Sequence, residues 1–163
     1  MIERIEPGPG QRSAWDFPRP PIVESEPRPV RVEFGRAVVA ETTNALRVLE
    51  TFHPPGIYIP RADVDLDSIE TAPGTSVCEW KGRAVYWTVV VRGRVSLQAA
   101  WNYPSPSPGF EDLADHLSFY PGRVDACWLG DELVSAQDGD FYGGWITTDV
   151  VGPFKGAPHT LGW

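Results

Sequence analysis

One stretch of the chain, residues 83–91, is apolar on both of the faces that a strand presents. Successive side chains alternate, so Val85, Trp87, Val89 and Val91 face one way, and Ala84, Tyr86 and Val90 the other. Such a strand belongs in the middle of a sheet covered on both sides, or has its second face turned toward a pocket. Arg92-Gly93 follows, and residues 94–101 then alternate: Val95, Leu97, Ala99 and Trp101 against Arg94, Ser96 and Gln98. That is a hairpin whose return strand has one wet face.

The remaining segments read as short strands between turn formers. Val30, Val32 and Phe34 alternate with Arg31 and Glu33, and Gly35 allows a turn into residues 37–41. Residues 45–49 fit a helical turn or a strand, residues 57–59 a short strand between prolines, and residues 62–70 a loop or helical turn. The run 104–109 breaks the sheet and leads to the one helix candidate, residues 110–115. Pro121-Gly122 has the signature of a type II turn, and Gly130-Asp131 that of a tight hairpin. This pattern predicts a mostly-β domain of antiparallel hairpins, forming a small barrel or sandwich-like core with one short helix. Seven of the 17 prolines lie before residue 30, so residues 1–28 read as a proline-rich arm that Trp15 and Phe17 hold against the domain. Residues 29–163 form the single domain, including a tail from about residue 142.

At 163 residues the chain suits one domain with a real core. Its 22 acidic and 14 basic residues leave a net charge of −8 with no Lys/Arg cluster, which argues against nucleic-acid and anionic-membrane partners. No apolar run approaches the roughly 20 residues of a membrane span. The first ten residues are too polar for the apolar stretch of an export signal. Cys78 and Cys127 lie far apart, so two free thiols in a reducing cytoplasm are expected. Monomer and homodimer both remain open.

Chemistry-bearing residues are sparse. Zinc needs four ligands at close spacing, which His53, His116, His159 and the two cysteines do not offer, so neither a metal site nor a cofactor is expected. Asp63-Val64-Asp65-Leu66-Asp67 opens like a calcium loop, but Ser68 takes the glycine position and Gly74 the glutamate position, and the run reads as a solvated edge. Cys78 would need His53 or His116 beside it to act as a nucleophile; a free Cys in a strand is more often a small core residue. No glycine-rich phosphate cradle occurs. A Mg²⁺-dependent transferase would have to draw on Asp63/Asp65 or Asp138/Asp140 for metal and on Lys81 and Lys155 for phosphates.

Two features stand out against this background. Lys81 and Lys155 are the only lysines, each following an aromatic residue and preceding glycine, while arginine serves everywhere else. Trp80, Tyr86, Trp87, Trp101, Tyr103, Tyr142 and Trp145 sit at strand ends or beside turns, where half-polar rings can wall a pocket or hold a cation. Trp87 and Trp101 read most simply as core. Trp80, Tyr103, Tyr142 and Trp145 are harder to explain that way, because loops normally shed large aromatics.

Several ordered motifs carry a resemblance. Ala40-Glu41-Thr42, the segment 54–60, Cys78-Glu79-Trp80-Lys81-Gly82-Arg83-Ala84-Val85-Tyr86, Ala99-Ala100-Trp101-Asn102-Tyr103-Pro104 and Phe119-Tyr120-Pro121-Gly122-Arg123-Val124-Asp125 together resemble domain-of-unknown-function family 427, over about residues 29–135. The arm and the tail look like those of a longer bacterial subgroup. The resemblance implies a small, mostly-β fold of the β-tent kind. β-Tent proteins often carry zinc on paired Cys-x-x-Cys knuckles, and this chain has none. The family is also catalogued under a nucleotidyltransferase-like label, but the Gly-Ser element that such enzymes place before Asp-x-Asp is missing.

The first functional expectation is a binding domain. Its pocket would be rimmed by Trp80, Tyr86, Trp101, Tyr103, Tyr142 and Trp145, with Lys81 as polar anchor and Lys155 as a second cation, and would hold a small anionic or aromatic molecule. A Mg²⁺-dependent nucleotidyl or phosphoryl transferase and a protein-interaction module are the alternatives.

Overall fold

The doubly apolar run is an inner strand of an open seven-stranded sheet. The structure, a computed structural model, describes residues 3–139, 141–160 and 162–163. In chain order the strands are β1 (Arg12–Ser13), β2 (Ile22–Glu26), β3 (Val30–Phe34), β4 (Ala37–Thr42), β5 (Ala45–Leu49), β6 (Gly56–Pro60), β7 (Ile69–Cys78) and β8 (Gly82–Val91). They continue with β9 (Arg94–Asn102), β10 (His116–Phe119), β11 (Ala126–Leu129), β12 (Glu132–Leu133), β13 (Ser135–Ala136), β14 (Trp145–Ile146) and β15 (Val150–Val151). The large sheet runs β2-β5-β6-β10-β9-β8-β7 and a second runs β12-β11-β3-β4, antiparallel throughout. Edges β2 and β7 stay unjoined, so the expected antiparallel hairpins form a sandwich and not a closed barrel. Pro73 and a register break between Thr71 and Thr75 interrupt edge β7, which discourages further strand pairing there.

Turn chemistry sets the register. Gly35 and Arg36 have φ of 60 and 62°, and Arg92 and Gly93 of 50 and 81°, the double positive φ of a two-residue hairpin turn. Gly122 does not take the positive φ that a type II turn requires; Pro121–Arg123 is a 3-10 turn in which Arg123 N donates to Tyr120 O at 3.0 Å. The expected helix at 110–115 is likewise one 3-10 turn, Glu111–Leu113. Its neighbours are proline, glycine and the strand β10, which leave no room for a second turn.

Alternation in β6 shows how the layers are arranged. Ile57 and Ile59 point into the sandwich, where they join Val30, Val32 and Phe34 of β3 and Leu129 of β11. Tyr58 points to the opposite face and packs with Val48, Trp101, Tyr103 and Tyr120. The large sheet is therefore covered on both sides in its middle. In β8, Val89 and Val91 belong to the sandwich, while Ala84 and Tyr86 pack in the second cluster. Each fully buried large apolar side chain contributes roughly 1.5–3 kcal/mol, so two clusters back to back fix this sheet firmly.

Both ends of the chain lie along the domain. β1 pairs in parallel with β15, β2 pairs with β5, and Ala14 and Phe17 pack on Leu49 and Val150. Trp15 meets Phe52 edge-on at 5.4 Å and Trp163 at 5.9 Å, and its Nε1 donates to Pro153 O at 2.8 Å. Glu26, 2% exposed, is gripped by Arg28 and lies 3.8 Å from Arg47. Both arginines also reach Asp149, at 3.3 and 3.6 Å, which ties the tail to the sheet. No helix of the described residues is long and apolar enough to cross a membrane.

Candidate functional site

A cleft of about 250 Å³ opens on the face of the large sheet that Tyr58 points to. Its floor is the sheet itself, through Val48, Tyr58, Ala84, Tyr86 and Trp101. One side is the turn from β7 to β8, where Cys78 pairs with Gly82 and leaves Glu79-Trp80-Lys81 as the connection. The far side is the tail, with Gln137, Phe141, Tyr142 and Lys155.

The glycine after each lysine has a geometric reason. Gly82 sits at φ 108°, and a Cβ there would stand 3.2 Å from Ser107 Oγ; Ser107 N also donates to Lys81 O at 3.0 Å. Gly156 sits at φ 144°, where a Cβ would overlap the carbonyl of Asp138. Both glycines let a second stretch of backbone press close, which fixes the path on which the lysine stands.

The two ammonium groups are in different situations. Lys155 Nζ donates to Trp163 O at 3.2 Å and lies 5.5 Å from the centre of the Tyr142 ring. Lys81 Nζ lies 5.9 Å from the centre of the Tyr103 ring, and no oxygen of the described residues accepts a hydrogen bond from it. Burial works against its charge, but Tyr103, Cys78 and Glu50 around it outweigh that effect and raise its pKa above the ordinary value. Lys81 is therefore a cation at physiological pH.

His53 carries the opposite bias. Burial first, then the positive charges of Lys81, Lys155 and Arg19, push its pKa down to about 4, so the ring is neutral. Its Nδ1 faces Gln137 Nε2 at 3.1 Å, and its Nε2 lies 3.7 Å from a carboxylate oxygen of Glu50. Burial raises the phenols of Tyr58, Tyr103 and Tyr120 above the usual tyrosine range, so these walls are uncharged.

Of the residues expected to form the pocket, Trp80, Lys81, Tyr86, Trp101, Tyr103, Tyr142 and Lys155 line this cleft. Trp145 does not. It is fully buried in the sandwich core, and its Nε1 donates to Phe119 O at 3.0 Å. The cause is the preceding Gly144: a Cβ there would clash with Pro54 and stand 2.6 Å from Gln137 Oε1, so the backbone passes tightly under the loop and turns the next side chain inward. Glu50, Tyr58, Tyr120 and Gln137 line the cleft as well, beyond the residues expected from the sequence.

The aspartates considered for a metal lie away from the cleft, whereas Cys78 and His53, considered for thiol chemistry, both line it. Asp63 accepts from Thr42 Oγ1 at 2.7 Å, and Asp65 accepts from Asp67 N at 3.1 Å and Ser68 Oγ at 2.7 Å, both outside the cleft. Asp138 does not line it either, and Asp140 lies outside the described residues. Among the described residues no three His, Cys, Asp or Glu side chains are grouped as metal ligands. Cys127 is core, with burial raising its thiol pKa; Cys78 lines the cleft as a free thiol, and His116 Nδ1 is engaged with Ala114 O at 2.9 Å.

Fold and cleft together define an open antiparallel β-sandwich with an aromatic-walled, cation-bearing cleft on the outer face of its larger sheet. The chain belongs to the family described as a domain of unknown function (DUF427), whose model matches residues 22–130. No curated protein matches the chain.

Proposed function

We propose that this protein is a binding domain for a small organic anion that carries a ring, held in the cleft with its acidic group at Lys81. The observation that carries the reading is the ammonium of Lys81, charged, bordered by aromatic walls and without an oxygen acceptor among the described residues. The half-buried ammonium faces the cleft with no carboxylate against it, and a ligand carboxylate or phosphate would supply a charge-assisted partner. At about 250 Å³ the cleft falls just below the roughly 300 Å³ at which drug-sized sites begin, which suits a single-ring molecule.

Native mass spectrometry of the purified protein tests for a bound small molecule. Benzoate is a defined probe: a ligand at 100 times its dissociation constant stabilises the folded state by about 2.7 kcal/mol, readily seen as a melting shift. Lys81→Ala should abolish that shift. An undiminished benzoate shift in Lys81→Ala would overturn the anchor role.

A further inference from the structure

The cleft holds an ion pair that does not close. Glu50 stands at the end of β5 and lines the same space as Lys81, yet no contact within 4.0 Å joins the two among the described residues. Among the described residues no oxygen or nitrogen atom stands within hydrogen-bond distance of either charged group. Lys81 Nζ has the Tyr103 ring and the Cys78 thiol beside it, and it feels the charge of Glu50 from further off. Among the described residues the Glu50 carboxylate, 19% exposed, has only His53 Nε2 at 3.7 Å, beyond hydrogen-bond distance. His53 is neutral, so it does not discharge the carboxylate.

A half-buried cation and a half-buried anion facing one cavity without touching make a dipolar site. A simple anion satisfies Lys81 but must also approach Glu50, which repels it. A simple cation meets the reverse conflict. A molecule with adjacent positive and negative groups satisfies both ends at once, and Coulomb energies at the reduced dielectric of such a cleft are several times those in water. The walls select the rest of the ligand: Trp80, Tyr86 and Tyr142 are half-buried rings with a face to offer.

Resting on the anion-binding reading above, we infer that the ligand is zwitterionic, an aromatic α-amino acid or a molecule of the same design. Its carboxylate sits at Lys81, its ammonium at Glu50 and its ring among Trp80, Tyr86 and Tyr142. The proposal names the substrate class and gives Glu50 a role in specificity.

The test compares three probes by titration calorimetry at neutral pH: L-phenylalanine, 3-phenylpropionate, which lacks the ammonium, and 2-phenylethylamine, which lacks the carboxylate. Phenylalanine is expected to bind about tenfold or more tightly than either, since a charge-assisted hydrogen bond is worth roughly 1.5–3 kcal/mol. Glu50→Gln should erase the advantage over phenylpropionate and keep that over phenylethylamine; Lys81→Met should do the opposite. Because the probes differ on the ligand side, the comparison in the unaltered protein stands even if a variant folds poorly. Phenylpropionate binding as tightly as phenylalanine would overturn the dipolar site and leave the anion reading intact. Phenylpropionate binding equally to the unaltered protein and to a folded Lys81→Met variant would overturn both. Failure of all three probes would overturn the zwitterion assignment, with the benzoate shift then deciding the anion reading alone.

Discussion

Gln137 Nε2 donates to His53 Nδ1 across 3.1 Å, and the direction of that bond follows from the other end of the same amide. Gly144 N donates to Gln137 Oε1 at 3.2 Å, so the oxygen is the acceptor side, and Nε2 donates at 2.5 Å to Lys155 O as well. His53 Nδ1 must then be the unprotonated nitrogen, and the ring carries its hydrogen on Nε2, toward Glu50. One buried amide thus sets a tautomer, holds the Lys155 backbone and pins the Gly144 turn.

Acid should destabilise the protein through His53 before its carboxylates titrate. The folded-state pKa, about 4, lies below the ordinary 6.5, so the unfolded chain takes up the proton first as pH falls. The associated stability is fully present above about pH 6.5 and is lost as pH falls toward 4, up to about 3 kcal/mol. Chemical denaturation across this window should show the decline, and His53→Gln should flatten it.

Trp145 should act through stability alone. Trp145→Ala leaves a cavity in the sandwich core and should cost about 3–5 kcal/mol. Trp145→Phe keeps most of the bulk but removes the donor to Phe119 O, a loss of about 1 kcal/mol. Urea denaturation measures both, and the benzoate shift of the folded Phe variant should be unchanged.

Gly143→Ala should damage the cleft from the other side. A Cβ there would overlap the Trp101 ring and stand 3.1 Å from Tyr120 Cδ1. Overpacking of this kind costs typically 1–3 kcal/mol, and relief here requires the Trp101 ring to tilt. A lowered melting temperature with weakened benzoate binding is expected; a variant identical to the parent in both would contradict the packing described.

Glu26→Gln should loosen the tail. Arg28 and Arg47 would lose the carboxylate, 2% exposed, between them, and removing one partner of a buried pair costs about 3 kcal/mol or more. Hydrogen exchange should show the segment around Asp149 opening faster, because the same two arginines hold it.

The fold was largely legible because its strands alternate, and the doubly apolar run at 83–91 already required a second covered face. Ala84 and Tyr86 line the cleft from that run. Trp80, Lys81, Tyr103, Tyr142 and Lys155 stood out because large or charged side chains at strand ends and turns rich in glycine or proline need a reason. Trp145 shares that local signature, and only the squeeze of Gly144 against Pro54 separates it from its neighbour Tyr142. Glu50 and Gln137 gave no local signal. Their roles arise from long-range closure: Gln137 meets His53 across 84 positions of chain. Strand β2 was hidden for a related reason. Its partner is β5, and its charges and the prolines on either side of it look like a linker until Glu26 is seen clamped by arginines.

The cleft has walls of two origins. Lys81, Tyr86 and Trp101 lie within the residues that match the family, 22–130, whereas Gln137, Tyr142 and Lys155 lie beyond them. The sandwich core draws mainly on the first part, Val134 and Trp145 aside, so cleft-lining side chains of the tail such as Tyr142 can change at less expense to folding. In this molecule the question of whether the chain folds and the question of what it prefers to hold are answered largely by different lengths of polypeptide.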